Sequence, residues 1–216
     1  MPPTASQGDS AIKARPLVWF AWLVILSALA YFISKNVVRY FVLTPESYGN
    51  YFWGKVSWLF PHVVCGVLAA VIGPLQFWPW VRRDYLPFHR LAGRIYVVAV
   101  LIGAISSVGM AAKVGPDSAT YAFGLIGLAL AWVTTTGMAF VAIRLKNIPQ
   151  HKQWMIRSYV VTFAFVTFRL ASDLLKAGNV LPSHERSALM AWACWAIPLL
   201  FTEVVLQASA VFIKKS

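Results

Sequence analysis

Long apolar runs dominate the chain, and short polar breaks divide them. Six runs reach spanning length, near residues 16–37, 56–78, 92–113, 121–144, 153–175 and 188–212. A helix needs roughly 20 apolar residues to cross the hydrocarbon of a bilayer. Backbone polar groups cannot be left unpaired in lipid, so runs of this kind are expected to be helices packed together. The expected fold is all-α, a polytopic membrane bundle of six transmembrane helices over residues 16–213. A polar, turn-rich stretch over residues 1–15 reads as a disordered cytoplasmic tail.

The breaks between runs carry helix-stop signals. Pro79 with Arg82-Arg83-Asp84 is expected to end the second helix. Gly115-Pro116-Asp117-Ser118 reads as a turn, Asn147-Ile148-Pro149 closes the fourth helix, and Gly178-Asn179 with Pro182 marks the next loop. The connection over 38–55 is the longest and is read as a loop rich in aromatics, among them Tyr40, Tyr48, Tyr51 and Trp53. Such rings favour the membrane–water interface, and Trp78, Trp80 and Tyr85 would form the matching belt on the other side. Ala28-Leu29-Ala30 looks like a leader-cleavage site, but the apolar run continues through Tyr31, Phe32 and Ile33, so an uncleaved anchor is expected.

Composition agrees with the pattern. Of 216 residues, 59% are hydrophobic and 12% charged, which excludes an ordinary soluble domain. Mean hydropathy is +0.67. The net charge of +12 would suggest nucleic acid in a soluble protein, but here it reports topology. With six spans both termini share a side, and that side collects 12 of the 19 basic residues against 6 on the other, with Arg169 inside a span. The bias places both termini in the cytoplasm, in a plasma or inner membrane. The expected partners are the lipid bilayer, a quinone or other small molecule, and a homo-oligomer or membrane complex; no nucleic acid is expected. Cys65 and Cys194 fall inside spans and read as reduced packing residues. No zinc spacing, phosphate-cradling loop or nucleophile elbow is present, so no enzyme class is assigned.

One pattern occurs twice. PFHRLAGRIY supplies Pro87, His89, Arg90, Arg94 and Tyr96, and PQHKQWMIRSY supplies Pro149, His151, Lys152, Arg157 and Tyr159. Both stretches open a helix on the cytoplasmic side. A positive helix terminus keeps imidazole neutral, the form that ligates iron. His89 and His151 are therefore candidate metal ligands for haem b, gripping it from both faces, and Gly93 leaves space one turn after His89. Arg94 and Arg157, with Arg90 and Lys152, are candidates to pair with the haem propionates. The competing reading is helix capping by proline and lipid anchoring by the basic residues.

Four further residues are expected to be buried polar elements: His62, Arg169, Asp173 and Glu203. Counting along the helices puts His62 and Arg169 at a common depth of roughly 9 Å from the outer surface. Ionisable residues inside a membrane usually face the bundle interior. Asp173 follows Arg169 by one turn and can neutralise it. Glu203 lies five residues after Pro198, which is expected to kink the last helix; a kink beside a carboxylate suggests a proton or quinone site. His184, in LPSHERS, reads as a solvated loop residue, and pairing it with His62 would give a second haem. Gln76 and Thr134 to Thr136 read as interhelical hydrogen bonds.

His62, Gly73-Pro74-Leu75-Gln76-Phe77, His89-Arg90, Gly93-Arg94-Ile95-Tyr96, His151, Trp154-Met155-Ile156-Arg157-Ser158-Tyr159 and Arg169 occur in that order. In these elements the chain resembles the membrane-protein family called domain of unknown function 2306, over roughly half its length. The resemblance implies a multi-helix membrane fold and supplies no activity. The helix histidines and basic edge also look loosely like the two-haem cytochrome b architecture, from which the chain departs in having only His62 well inside a helix. The leading expectation is a small redox protein that binds haem b or a quinone for transmembrane electron transfer. The alternative is a small transporter or accessory subunit with a buried polar path.

Overall fold

The structure, a computed structural model, describes residues 5–114 and 118–213, with side chains for 16, 18–114 and 118–211. The turn expected over 115–118 lies largely outside the described residues, as does the start of the N-terminal tail. No strand occurs among the described residues, and six helical stretches are long and apolar enough to cross a membrane.

Residues 1–38 and 39–216 form two separate units. In the first, helix α1 (Ala5–Phe32) begins at Ala5 rather than at residue 16, and a π-helical turn follows at Ile33–Val37. The second opens on a 3-10 turn that ends at Phe41 and a short helix, α2 (Pro45–Trp53). The stretch read as a loop is thus mostly helical. Thr44 explains part of this: its Oγ1 accepts from the Ser47 N–H at 3.3 Å and Pro45 fixes the first turn. Tyr48 donates to the Tyr40 carbonyl at 2.6 Å, and the two rings pack edge to face at 5.1 Å.

Five spans follow, built from α3 (Val56–Phe77), α5 (Leu86–Ala111), α6 (Ala119–Arg144), α7 (Ile148–Thr162) continued by α8 (Ala164–Ala177), and α9 (Ser183–Ile213). A short helix α4 (Pro79–Asp84) joins α3 to α5. Pro79 therefore starts a helix after Trp78 has ended one, and the Arg82-Arg83-Asp84 run is helical. Pro87 and Pro149 stand in the first turns of α5 and α7, where a missing N–H is harmless. Two ends stop by the same device: Lys146 after α6 and Asn179 after α8 take left-handed φ of 58° and 52°. The next N–H groups reach back to Ala142 and Leu175 carbonyls at 2.9 Å. α9 runs on through Pro198 as one helix.

Within this unit α6 lies against α5, α7 and α9, while α3 packs along α5 and touches α7. The apolar faces turn outward: Ile105, Phe123, Leu130 and Leu200 are each more than 60% exposed. Lipid tails match such side chains, so they provide no drive for helix association, and close packing of small residues must supply it. Gly73 on α3 has the ring of Tyr159 against it, so tightly that a β-carbon would overlap the ring. Gly124 on α6 meets Ala191 on α9, where a β-carbon would come within 2.7 Å. Tyr159 also donates to the Ala70 carbonyl at 3.2 Å.

Gly73→Ala is expected to force α3 off α7 and destabilise the fold by about 1–3 kcal/mol. Gly66→Ala is the control, since nothing lies within 4 Å of a β-carbon there. Thermal unfolding of both variants in detergent measures the difference.

Candidate functional site

The breaks and antiparallel neighbours make α5 and α7 run parallel, and one hydroxyl cluster holds them in register. Tyr96 on α5 bonds Ser158 at 2.8 Å and Thr162 at 2.7 Å on α7. Thr136 of α6 bonds Ser158 at 2.7 Å, and Trp132 Nε1 donates to Thr162 at 2.8 Å. Proton bookkeeping orders the cluster. Thr162 gives its proton to the Ser158 carbonyl at 2.9 Å, so it accepts from Trp132 and Tyr96. Tyr96 then accepts from Ser158, and Ser158 from Thr136. Every hydroxyl donates once. Back-bonding from Thr162 also loosens the helix, and α7 stops there before α8 resumes beyond Phe163.

This register decides where the repeated motif lies. The same 62-residue offset separates Tyr96 from Ser158 and His89 from His151. His89 stands seven residues before Tyr96, and His151 seven before Ser158, so each lies two turns down the same helix face. The two histidines are level, near the ends of α5 and α7 that carry the basic residues. His151 donates from Nδ1 to the Ala139 carbonyl of α6 at 2.9 Å. In the neutral ring, that bond selects the tautomer with its lone pair on Nε2. His89 keeps a buried Nδ1 without a hydrogen-bond partner.

Arg157 turns elsewhere. It follows His151 by six residues, about 120° round the helix. Its Nε and Nη2 reach Glu203 Oε2 on α9 at 2.8 and 2.6 Å, and the guanidinium lies 4.7 Å from the Trp154 ring centre. Its side chain is 8% exposed, against 41% for Glu203, whose other oxygen accepts from Gln207 at 2.7 Å. Glu203 thus has a cationic partner that depth counting had not supplied. Arg94 is exposed on α5.

At the opposite end His62 donates from Nδ1 to the Gly103 carbonyl at 2.9 Å and meets the Phe165 ring edge at 5.5 Å. Arg169 and Asp173 were expected inside the bundle, but both are exposed on α8. Depth along a helix does not fix the face: Ala164 and Phe168 turn inward, and Arg169 is one residue, about 100°, further round. Arg169 lies 5.8 Å from the Phe168 ring centre. His184 is in the first turn of α9 rather than in a loop, with its side chain 77% exposed and 3.8 Å from Glu185. Thr134 is exposed, and Thr135 bonds carbonyls of its own helix. Cys65 and Cys194 are free and buried.

Sequence reasoning gave Tyr96, Ser158 and Thr162 no role. Their signal was a polar residue at helical spacing, Ser158 and Thr162, in an otherwise apolar run.

A family model described as a predicted membrane protein, DUF2306, matches residues 59–206. The chain belongs to the DUF2306 family. The matched stretch holds His62, both repeated motifs, the hydroxyl cluster and the Arg157–Glu203 pair. No curated protein and no solved structure matches the chain. The DUF2306 chain described here is an integral membrane protein whose spans contact the lipid bilayer.

Two variant sets test this geometry. Tyr96→Phe removes a donor and an acceptor from the cluster and is expected to cost about 1–3 kcal/mol. Tyr85→Phe, at an exposed ring, should stay within about 0.5 kcal/mol of wild type. Glu203→Leu strands a buried guanidinium, so it should destabilise more than Arg157→Met, and the double variant should recover part of the loss. Equilibrium unfolding in detergent reads each value.

Proposed function

We propose that the protein is a small membrane redox protein that holds haem b between His89 and His151. The observation that carries this reading is the level placement of the two histidines on parallel helices, with the Nδ1 of His151 committed to a carbonyl. A metal-ligating histidine ordinarily makes that second bond, which fixes the ring and its tautomer. The unclaimed Nδ1 of His89 leaves that ring a nitrogen for a ligand. Bis-histidine ligation of haem uses two protein donors, one on each face. It therefore does not need a cage of three or more His, Cys, Asp or Glu, and none stands among the described residues. Bound there, haem would supply a one-electron couple. Arg94 and Arg90 are exposed and open to a propionate, whereas Arg157 is engaged with Glu203.

The transporter reading draws support from the same buried polar groups. The hydroxyl cluster weighs against it, since each of its protons already has an acceptor. A closed cluster holds helices together more readily than it passes ions.

The test is the visible spectrum of the purified protein, expressed with ample haem and recorded before and after dithionite. The expected result is a sharp reduced band that is lost in His89→Ala and in His151→Ala but kept in His184→Ala. A colourless wild-type protein would end the haem reading and return the histidines to helix-start duties.

A further inference from the structure

Three buried side-chain nitrogens on α3, α4 and α5 have no hydrogen-bond partner: Gln76 Nε2 and Arg82 Nε, both donors, and His89 Nδ1. Gln76 is only 6% exposed. A buried donor without an acceptor is uncommon and unfavourable. The three come from consecutive elements, α3, α4 and α5. Gln76 is the last residue but one of α3, and its Oε1 lies against Gly93, where a β-carbon would stand 3.4 Å away. Gly93 is one turn after His89 on the same face of α5. Arg82 stands on α4, which packs against both α5 and α3. Gln76 thus meets the His89–Gly93 face directly, and Arg82 stands on the short helix that links α3 to that face.

The charge on this wall is one-sided. It offers amide and guanidinium N–H groups and no carboxylate: Asp84, the acidic residue of α4, is bonded to Arg83 at 2.8 Å. Arg82, Arg90 and Arg94 leave a local excess of positive charge. A neutral carbonyl would satisfy a donor but not that charge; an oxyanion does both. Trp78, Trp80 and Tyr85 are exposed around α4, with the Trp80 and Tyr85 rings packed at 4.6 Å, and rings of this kind sit at headgroup depth.

We infer that Gln76 and Arg82 form a binding site for a phosphate oxyanion, presented by an acidic phospholipid headgroup or as free phosphate. The site is independent of the haem reading, in which neither residue is a ligand.

Thermal unfolding of the full chain in neutral detergent tests it, with phosphatidylglycerol, phosphatidylcholine, inorganic phosphate or chloride added. Wild type should be stabilised by phosphatidylglycerol at concentrations where chloride and phosphatidylcholine do little. Stabilisation by inorganic phosphate as well would assign free phosphate; stabilisation by phosphatidylglycerol alone would assign the lipid. Gln76→Leu and Arg82→Gln should each raise the half-saturating concentration about tenfold, the worth of one bond to a charged group. Arg83→Gln, at an exposed side chain, should leave it unchanged. If Gln76→Leu does not fold, Gln76→Glu serves in its place, with retained phospholipid counted by native mass spectrometry. Equal stabilisation of wild type, Gln76 and Arg82 variants, or none in wild type, would overturn the proposal.

Discussion

The Tyr96 hydroxyl, shared between Ser158 and Thr162, fixes the register of two parallel helices that otherwise have little reason to align. Apolar side chains gain nothing by leaving lipid for one another, so a bundle in a membrane depends on close packing and a few directed bonds. Here the directed bonds sit together. Tyr96, Trp132, Thr136, Ser158 and Thr162 join α5, α6 and α7 at one level, each proton assigned. Sliding α7 by one residue against α5 would break several of these bonds at once. Small residues then let the neighbours close in, as Gly73 does beneath Tyr159 and Gly124 beside Ala191.

What lies beneath the cluster follows from that register. His89 and His151 come level because each is two turns from a member of the cluster. The carbonyl of Ala139 then orients one ring. Arg157, on a different face of the same helix, is carried to α9 and finds Glu203. One short stretch of α7 therefore addresses four neighbours: His151 and Ser158 towards α5 and α6, Tyr159 towards α3, and Arg157 towards α9. The repeated motif resolves accordingly. Its histidines come level but are held differently, His151 by a carbonyl and His89 by no hydrogen bond at Nδ1, and its last residues diverge, Tyr96 binding hydroxyls and Tyr159 packing on a glycine.

Much of this was legible in the sequence. Length and hydropathy define the six spans because the bilayer imposes both, and proline and asparagine mark several helix ends. The motif's histidines stand where the capping residues implied. Orientation was harder to read. Depth counting gives height along a helix but not the face, so Arg169 and Asp173 were expected inside and lie outside, while Arg157 was read as an edge residue and is buried. The α7–α8 break at Phe163 also has no breaker in the sequence; it arises beside a threonine bonded to its own helix, which is a tertiary arrangement. The helical 38–53 stretch hid behind aromatics that suggest an interface equally well in a loop.

The account stands or falls on α5 and α7 being parallel and in register. Spin labels at Arg90 and Lys152, both exposed and each one residue past a motif histidine, measure this directly by electron paramagnetic resonance. Cys65 and Cys194 can stay in place, being buried from the reagent. Helix axes pack roughly 8–10 Å apart, so with the label arms the expected separation is on the order of 10–25 Å. A separation near the thickness of the hydrocarbon, roughly 30 Å or more, would place the two histidines at opposite faces and contradict it.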